Sequence, residues 1–378
     1  MNFIMKNKSA AYIILIVGLV LTSCSRKLVT VTDNEADRSA YPTDDRQSQL
    51  IFNSIKPFPN NTEFSVALIK NGMVSFMGLT RTNDSIQFTE NHKSAFEIGS
   101  LTKVFTATLL ASLITEEKLK LEDHIQDFLD FRWNTNEPIT FEQLANHTSG
   151  LPRLPSNFAV SAAHQSNPFQ HYDEPKLVEY LRSEVNPSHE PGTKYEYSNL
   201  GSGLLGFELA LIANSTYESL LHDRIFNKYD MKHSTCNRET LEAKLVNGLN
   251  PDGDVIPNWD FEALAGAGAI VSTVEDLSYF ALAQFEETNS ELLLTQRPTF
   301  KVDNKMSIGI GWHILKRKKD VELIWHNGAT GGYRSSMALD LKRKNGIVIL
   351  SNVSAFHRHA QKIDELCFKL LEMMISKL

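Results

Sequence analysis

"FEIGSLTKVFTATLLASLITEE", Phe96 to Glu117, is the stretch on which the reading of this chain turns. After Glu97 it carries a single charge, Lys103, before Glu116. Most other positions are apolar or small, the pattern of a helix buried on most sides. A lysine in such a helix is costly unless it is paired or its proton has a task. Ser100 stands three residues earlier, so the two side chains share one helix face. A serine hydroxyl is a poor nucleophile until a neighbour accepts its proton. A lysine in apolar surroundings has a depressed pKa and can be that acceptor. Gly99 permits a tight approach to the helix start, and the positive end of the helix dipole lies beside Ser100. An SxxK pair alone is weak, because an N-cap serine followed by a snorkelling lysine looks the same. Here it occurs once in the chain, on the most apolar helix.

Working outward, "FSVALIKNGMVSFMGLTRT" (64–82) gives two apolar runs joined by Asn71-Gly72, a β-hairpin signal. A helix is expected before it, around Asp45–Ile55. From Leu121 to about Gly266 the pattern is mostly helical, broken by proline-rich loops such as "PRLPSN" and "VNPSHEPGTKY". The end of the chain returns to strands, "SIGIGWHIL", "VELIWHNG", "YRSSMALDL" and "GIVILSN", with a tight turn expected at Asn345-Gly346. An amphipathic helix, "QKIDELCFKLLEMMISKL", closes it. Hairpin-joined strands are antiparallel. The first hairpin and the last strands can therefore share one sheet, giving an α+β fold. In it an antiparallel sheet is flanked by helices, a large mostly helical lobe is inserted at about 121–266, and the cleft lies between the lobes.

The chain has 378 residues, 42% hydrophobic, with net charge −7. No basic run or basic-aromatic interleaving suggests a nucleic-acid partner. Lys6 and Lys8 precede "AAYIILIVGLVL", an apolar run too short for a stable membrane span. It ends in Leu21-Thr22-Ser23-Cys24, which resembles a bacterial lipobox. That resemblance implies a signal peptide at 1–23, lipidation of Cys24, a polar tether at 24–44 and a domain at 45–378 in the cell envelope. A plain signal peptide or an uncleaved anchor is the alternative. Cys236 and Cys367 lack metal-ligand spacing and read as free buried thiols, a disulfide being the other reading.

Two further segments add chemistry. "KYEYSNLGSGLLGFELA" holds Tyr197-Ser198-Asn199, the sole YxN in the chain, at the start of another apolar helix. "LIWHNGATGGYRSS" places His326-Asn327-Gly328 at the end of a strand, followed by Ala329, where small residues would let substrate backbone lie along the strand edge. In the order Ser-x-x-Lys, Tyr-x-Asn, His-x-Gly, the chain resembles the β-lactamase-related, penicillin-recognising serine hydrolases. The Tyr-x-Asn form is similar to class C β-lactamases, D-alanyl-D-alanine peptidases, D-amino-acid amidases and esterase-like relatives. "LANHTSGLPRLP" (144–155), "GAGAIVSTVEDLSYF" (266–280) and "GIGW" (309–312) extend the resemblance over about residues 46 to 375.

The resemblance implies the β-lactamase/transpeptidase-like fold and roles for matching residues. Ser100 would form the acyl-enzyme. Lys103 would take its proton or tune Tyr197, and Tyr197 would protonate the leaving group and later activate water. Asn199 would bind the substrate's amide, and the backbone N–H groups of Ser100 and Ala329 would form the oxyanion hole. No cofactor or metal is implied.

One departure bears on substrate. His326-Asn327-Gly328 stands where β-lactamases carry Lys-Thr-Gly or Lys-Ser-Gly, whose lysine and hydroxyl hold a substrate carboxylate. Arg334 reads either as a surface ion pair or as a replacement carboxylate anchor. His147 reads as a structural turn histidine, and Gly266 and Gly268 as a close-approach loop or a plain turn. The leading expectation is hydrolysis of β-lactams or D-Ala-D-Ala peptides of peptidoglycan. The alternatives are an esterase or amidase for small acyl groups, and a lipid-anchored penicillin sensor that acylates without turnover.

Overall fold

Asn71 and Gly72 both take positive φ, 51° and 76°, and turn β1 (Glu63–Lys70) back onto β2 (Met73–Thr82). This two-residue left-handed turn suits the twist of paired strands, and Asn and Gly adopt it at least strain. The computed structural model describes residues 45–158, 165–317 and 321–375. The expected signal peptide, Cys24 and the 24–44 tether lie outside the described residues. Among the described residues no helix is long and apolar enough to cross a membrane.

The other strands are β3 (Ser85–Phe88), β4 (Ala95–Glu97), β5 (Val271–Thr273), β6 (Phe300–Lys301), β7 (Met306–Ile308), β8 (His313–Lys316), β9 (Glu322–Ala329), β10 (Arg334–Asp340) and β11 (Asn345–Ser351). Nine of the eleven described strands form one antiparallel sheet in the order β3-β2-β1-β11-β10-β9-β8-β7-β6, and β4 pairs with β5 separately. β1 lies beside β11, from Phe64↔Ser351 to Ile69↔Gly346, so the two ends of the domain close one sheet.

Alternation along the central strands builds two cores. Val66, Leu68, Ile347 and Ile349 face α1 (Asp45–Ile55) and α9 (Lys362–Ile375), packing with Ile51, Ile55, Leu366 and Leu370. Ala67, Ile69, Val348 and Leu350 point the opposite way, into the larger core with α2 (Thr102–Thr115). Apolar runs without polar alternation arise because both faces are covered. Within 121–266 the described α-helices are α3 (Phe141–Ala145), α4 (Glu174–Ser183), α5 (Asn199–Ile212) and α6 (Tyr217–Leu221), and among the described residues no strand beyond isolated bridges forms there. α7 (Val274–Ala283) and α8 (Ser290–Thr295) return the chain to the sheet.

Two expected local features differ. "SIGIGWHIL" is not one strand: β7 and β8 pair across a turn at 309–312, where Gly311 has φ 82°. A Cβ on Gly311 would meet the Ala107 Cβ at 2.7 Å, so the turn is pressed against α2. The turn expected at Asn345-Gly346 falls earlier, where Lys344 takes φ 52°, and Asn345 and Gly346 already pair with Asp340 and Leu339. Cys236 and Cys367 are free.

Glu208, in the middle of α5, is fully buried and neither carboxylate oxygen has a partner. Burial, assisted by the charge of Asp130, pushes its carboxyl up to about 8. The unfolded chain releases this proton near the ordinary glutamate pKa, while the folded chain holds it. This contribution to stability is therefore intact at acid pH and is lost as pH rises from the ordinary glutamate range through about 8, by about 5 kcal/mol in all. Glu208→Gln should remove that slope: chemical denaturation at pH 5 and pH 9 should show wild type losing several kcal/mol more than the variant. Equal losses would mean that Glu208 finds a partner or water in solution.

Candidate active site

Ser100 is carried by a single 3-10 turn, Gly99–Leu101, that leads directly into α2. Gly99 has φ 52°, and a Cβ there would lie 2.6 Å from the Ala329 nitrogen. Glycine thus serves twice, for the left-handed backbone and for the close approach to β9. α2 is buried on nearly all sides, Lys103 included, at 2% exposure. Burial therefore drives the Lys103 ammonium well below its ordinary pKa, and the charge of Arg153 adds to the effect.

Lys103 Nζ lies 3.1 Å from Ser100 Oγ, 3.0 Å from Asn199 Oδ1 and 2.7 Å from the Ala267 carbonyl oxygen. The latter two atoms can only accept, whereas the serine hydroxyl can also donate. A neutral amine satisfies all three by donating to Asn199 and Ala267 and turning its lone pair to the Ser100 hydroxyl. The short helical segment Glu262–Ala267 supplies the carbonyl, and Gly266 lets it close on α5: a Cβ there would meet the Ser202 carbonyl at 2.6 Å. Both glycines expected at a close-approach loop fill that part. Gly268 has extended backbone, and a Cβ on it would run into the Phe261 ring.

Ser198 caps α5, accepting from Gly201 N–H at 2.8 Å, and so fixes Tyr197 and Asn199 on either side of the helix start. The Tyr197 ring lies 5.0 Å from Lys103 Nζ, 5.2 Å from the Arg153 guanidinium and 4.5 Å from the His147 ring. Burial raises the Tyr197 phenol well above its ordinary value, while Ser100 and Arg153 pull more weakly the other way. The resting phenol is therefore neutral, a proton donor. His147, at φ 61°, accepts from the Ser198 N–H at 3.3 Å, and burial keeps its ring neutral.

β9 forms the opposite wall. β8 pairs with it only as far as Trp325, so His326 to Ala329 lie on an edge with no β8 neighbour. Thr330 N–H donates to Tyr333 O across the hairpin, which leaves Ala329↔Arg334 as a non-hydrogen-bonded pair. The Ala329 N–H consequently points away from β10, toward the open edge. A Cβ on Gly328 would sit 2.8 Å from the Ser100 nitrogen, which places the two amides side by side.

The neighbouring positions depart from what the sequence suggests. His326 faces Lys103 but is 1% exposed, and burial, first, then His313 and Lys103, hold its ring far below the ordinary histidine value. It is neutral, with Nδ1 2.7 Å from the Asn327 carbonyl and Nε2 buried without a partner. His313, held down to about 4 by burial, lies between it and the Tyr195 hydroxyl, 3.1 Å away. Asn327 alternates to the other face of the sheet, where its amide donates to Asp364 of α9 at 2.9 Å. Arg334 pairs with the same carboxylate. It is neither a surface pair nor an open anchor: both partners are largely buried, at 12% and 15% exposure. Two residues expected to bind substrate thus hold α9 to the sheet. Sequence reasoning missed Arg153, His313 and Tyr195; all three lie in or beside the motif-bearing stretches, yet nothing in their spacing tells which side chains reach the cleft.

Comparisons with known proteins agree with this architecture. The family model described as Beta-lactamase matches residues 62–369. "Protein flp" of Staphylococcus aureus (strain MW2) is 26% identical over 311 residues, covering 77% of this chain and 59% of that protein. The chain thus spans well under two thirds of the length of these relatives. A "Beta-lactamase" of Pseudomonas fluorescens is 24% identical over 346 residues, 80% of this chain and 93% of that protein. Among solved structures, the octameric penicillin-binding protein homologue from Pyrococcus abyssi superposes with TM-score 0.73 at 20% identity, covering 88% of this chain and 78% of its own. Beta-lactamase/D-alanine carboxypeptidase from Yersinia pestis, complexed with citrate, gives 0.69 at 22% identity, covering 87% and 99%. At such identities the structures speak for the fold alone, whereas the family match spans most of the domain: this chain belongs to the β-lactamase family of serine hydrolases and penicillin-binding proteins.

Proposed function

We propose that this protein is an acyl-serine hydrolase in which neutral Lys103 takes the proton of Ser100. The observation that carries the reading is the Lys103 environment: two obligate acceptors and one hydroxyl around a buried amine. Ser100 Oγ attacks the substrate carbonyl carbon as its proton passes to Lys103 Nζ. The developing oxyanion is met by the N–H groups of Ser100 and Ala329. Tyr197 gives its proton to the leaving group as that bond breaks, and Asn199, already held by Lys103, orients the substrate. Water then attacks the acyl-enzyme carbonyl as Tyr197, now deprotonated, takes its proton, and Lys103 returns its proton to Ser100 Oγ as the acyl–oxygen bond breaks.

Small esters and amides fit the third motif better than substrates that need a cation there. His326 is neutral and buried, and Asn327 and Arg334 are committed to Asp364. A β-lactam or D-Ala-D-Ala peptide remains the second reading, supported by the order of the three motifs. Mass spectrometry of intact protein after brief exposure to 4-nitrophenyl acetate and to a penicillin tests both. Transient acetylation at Ser100 with continuing turnover supports the proposal. A penicilloyl adduct that persists without turnover supports a sensor, and an unmodified Ser100 with both reagents would refute acyl-serine chemistry.

The lipid anchor belongs to the same proposal. The Lys-flanked apolar run ending in Leu-Thr-Ser-Cys supports lipidation at Cys24, with the domain outside the membrane of a bacterial envelope. A Cys24→Ala variant should lose labelling by a radioactive fatty acid and either leave the membrane fraction or stay uncleaved. Unchanged labelling would exclude Cys24 as the acceptor.

A further inference from the structure

We propose that Arg153 is the anion anchor of this active site, selecting substrates that carry a carboxylate beside Tyr197. The assignment rests on the hydrolase reading above and deepens it. Arg153 sits on a loop whose neighbours Leu151 and Pro155 are buried. Its carbonyl oxygen accepts the N–H of Asn199 at 3.0 Å and of Leu200 at 3.2 Å, and the Pro152 carbonyl accepts the Ser198 hydroxyl at 2.7 Å. Three hydrogen bonds thus lock this loop to the start of α5, the segment that presents Tyr197 and Asn199. The side chain then turns back over the Tyr197 ring, 5.2 Å from guanidinium to ring centre. It is exposed, and among the described residues it has no ion-pair partner.

Every other cationic side chain at the site is spent or discharged. His326 is buried and neutral, burial disfavours the charged form of Lys103, and Arg334 is paired with Asp364. Arg153 is a permanent cation whose charge already reaches Lys103, His147 and Tyr197. Its planar fork suits two parallel hydrogen bonds to a carboxylate. Stacking on Tyr197 holds that fork at the mouth of the cleft, where charge, unlike that of a buried lysine, needs no partner until substrate arrives.

Two pairs of esters test the assignment. One pair, 4-nitrophenyl butyrate and the 4-nitrophenyl monoester of glutaric acid, differs by a carboxylate on the acyl group. The other, phenyl acetate and 3-carboxyphenyl acetate, differs by one on the leaving group. The quantity read is the ratio of kcat/KM, charged over neutral, within each pair, which cancels any effect of the substitution on Tyr197 itself. Arg153→Gln should lower that ratio in at least one pair by about 10- to 100-fold, the value of one hydrogen bond to a charged group. Arg153→Lys should keep part of it, and added salt should erode it in wild type. Ratios unchanged by Arg153→Gln in both pairs, whether or not the absolute rates fall, would overturn the anchor and leave the hydrolase reading standing. If wild type turns over none of the four esters and Ser100 stays unacylated, the hydrolase reading fails, and the anchor with it.

Discussion

Lys103→Arg is expected to reduce the acylation rate by about 10²- to 10⁴-fold, the range associated with a positioned general base. Arginine keeps its proton at any working pH, so it cannot accept one from Ser100. It also places a permanent charge where the structure offers acceptors for a neutral amine but no carboxylate. Some loss of stability should accompany the change, so the rate is to be read on protein shown by circular dichroism to be folded. Lys103→Gln, which is uncharged, should be equally slow to acylate. Near-normal acylation in either variant would make the lysine structural and leave Tyr197 as the base.

The second large effect is expected at Gly328. A Cβ there would stand 1.8 Å from the Ile98 carbonyl oxygen and 2.8 Å from the Ser100 nitrogen, both backbone atoms that cannot swing aside. Gly328→Ala must therefore push β9 off the turn that carries Ser100, and the Ser100 and Ala329 amides must separate. Removing one oxyanion donor lowers kcat by about 10²- to 10³-fold. Overpacking a tight site lowers stability by about 1–3 kcal/mol. Thermal melting and kcat measured together decide the matter: a lower Tm with kcat intact would show that these two amides do not form the oxyanion hole.

Much of this was legible in the residues because the strongest signals are local or covalently spaced. Asn71-Gly72 can hardly be anything but a two-residue hairpin turn. One charge in an apolar helix, three residues after a serine, states its own question. Asn345-Gly346 misled for a related reason: the pair favours a turn, but both residues already pair with Asp340 and Leu339 on the neighbouring strand, which no local pattern records. The third motif was the least readable. His326 and Asn327 are adjacent in sequence, yet strand alternation sends one to the cleft and the other to α9, and Arg334 is claimed by Asp364 thirty residues later. Charge on a histidine is also invisible in sequence, since burial decides it. Arg153 lies in a proline-rich loop with no periodicity, and only the fold, which ties its carbonyl to Asn199 and Leu200 and lays its guanidinium over Tyr197, reveals where it points.

The protonation state of Lys103 is the point on which the account depends. Nitrogen-15 NMR of lysine-labelled protein, with the Lys103 resonance assigned by its absence in Lys103→Arg, reads it directly. A depressed pKa means that protonation, and with it loss of acylation, sets in only as pH falls through a value well below the ordinary lysine range. The account predicts a neutral-amine shift for Lys103 at pH 7.5, titrating on the acid side together with kcat/KM. An ammonium shift that persists at pH 9 while Ser100 still acylates would contradict it.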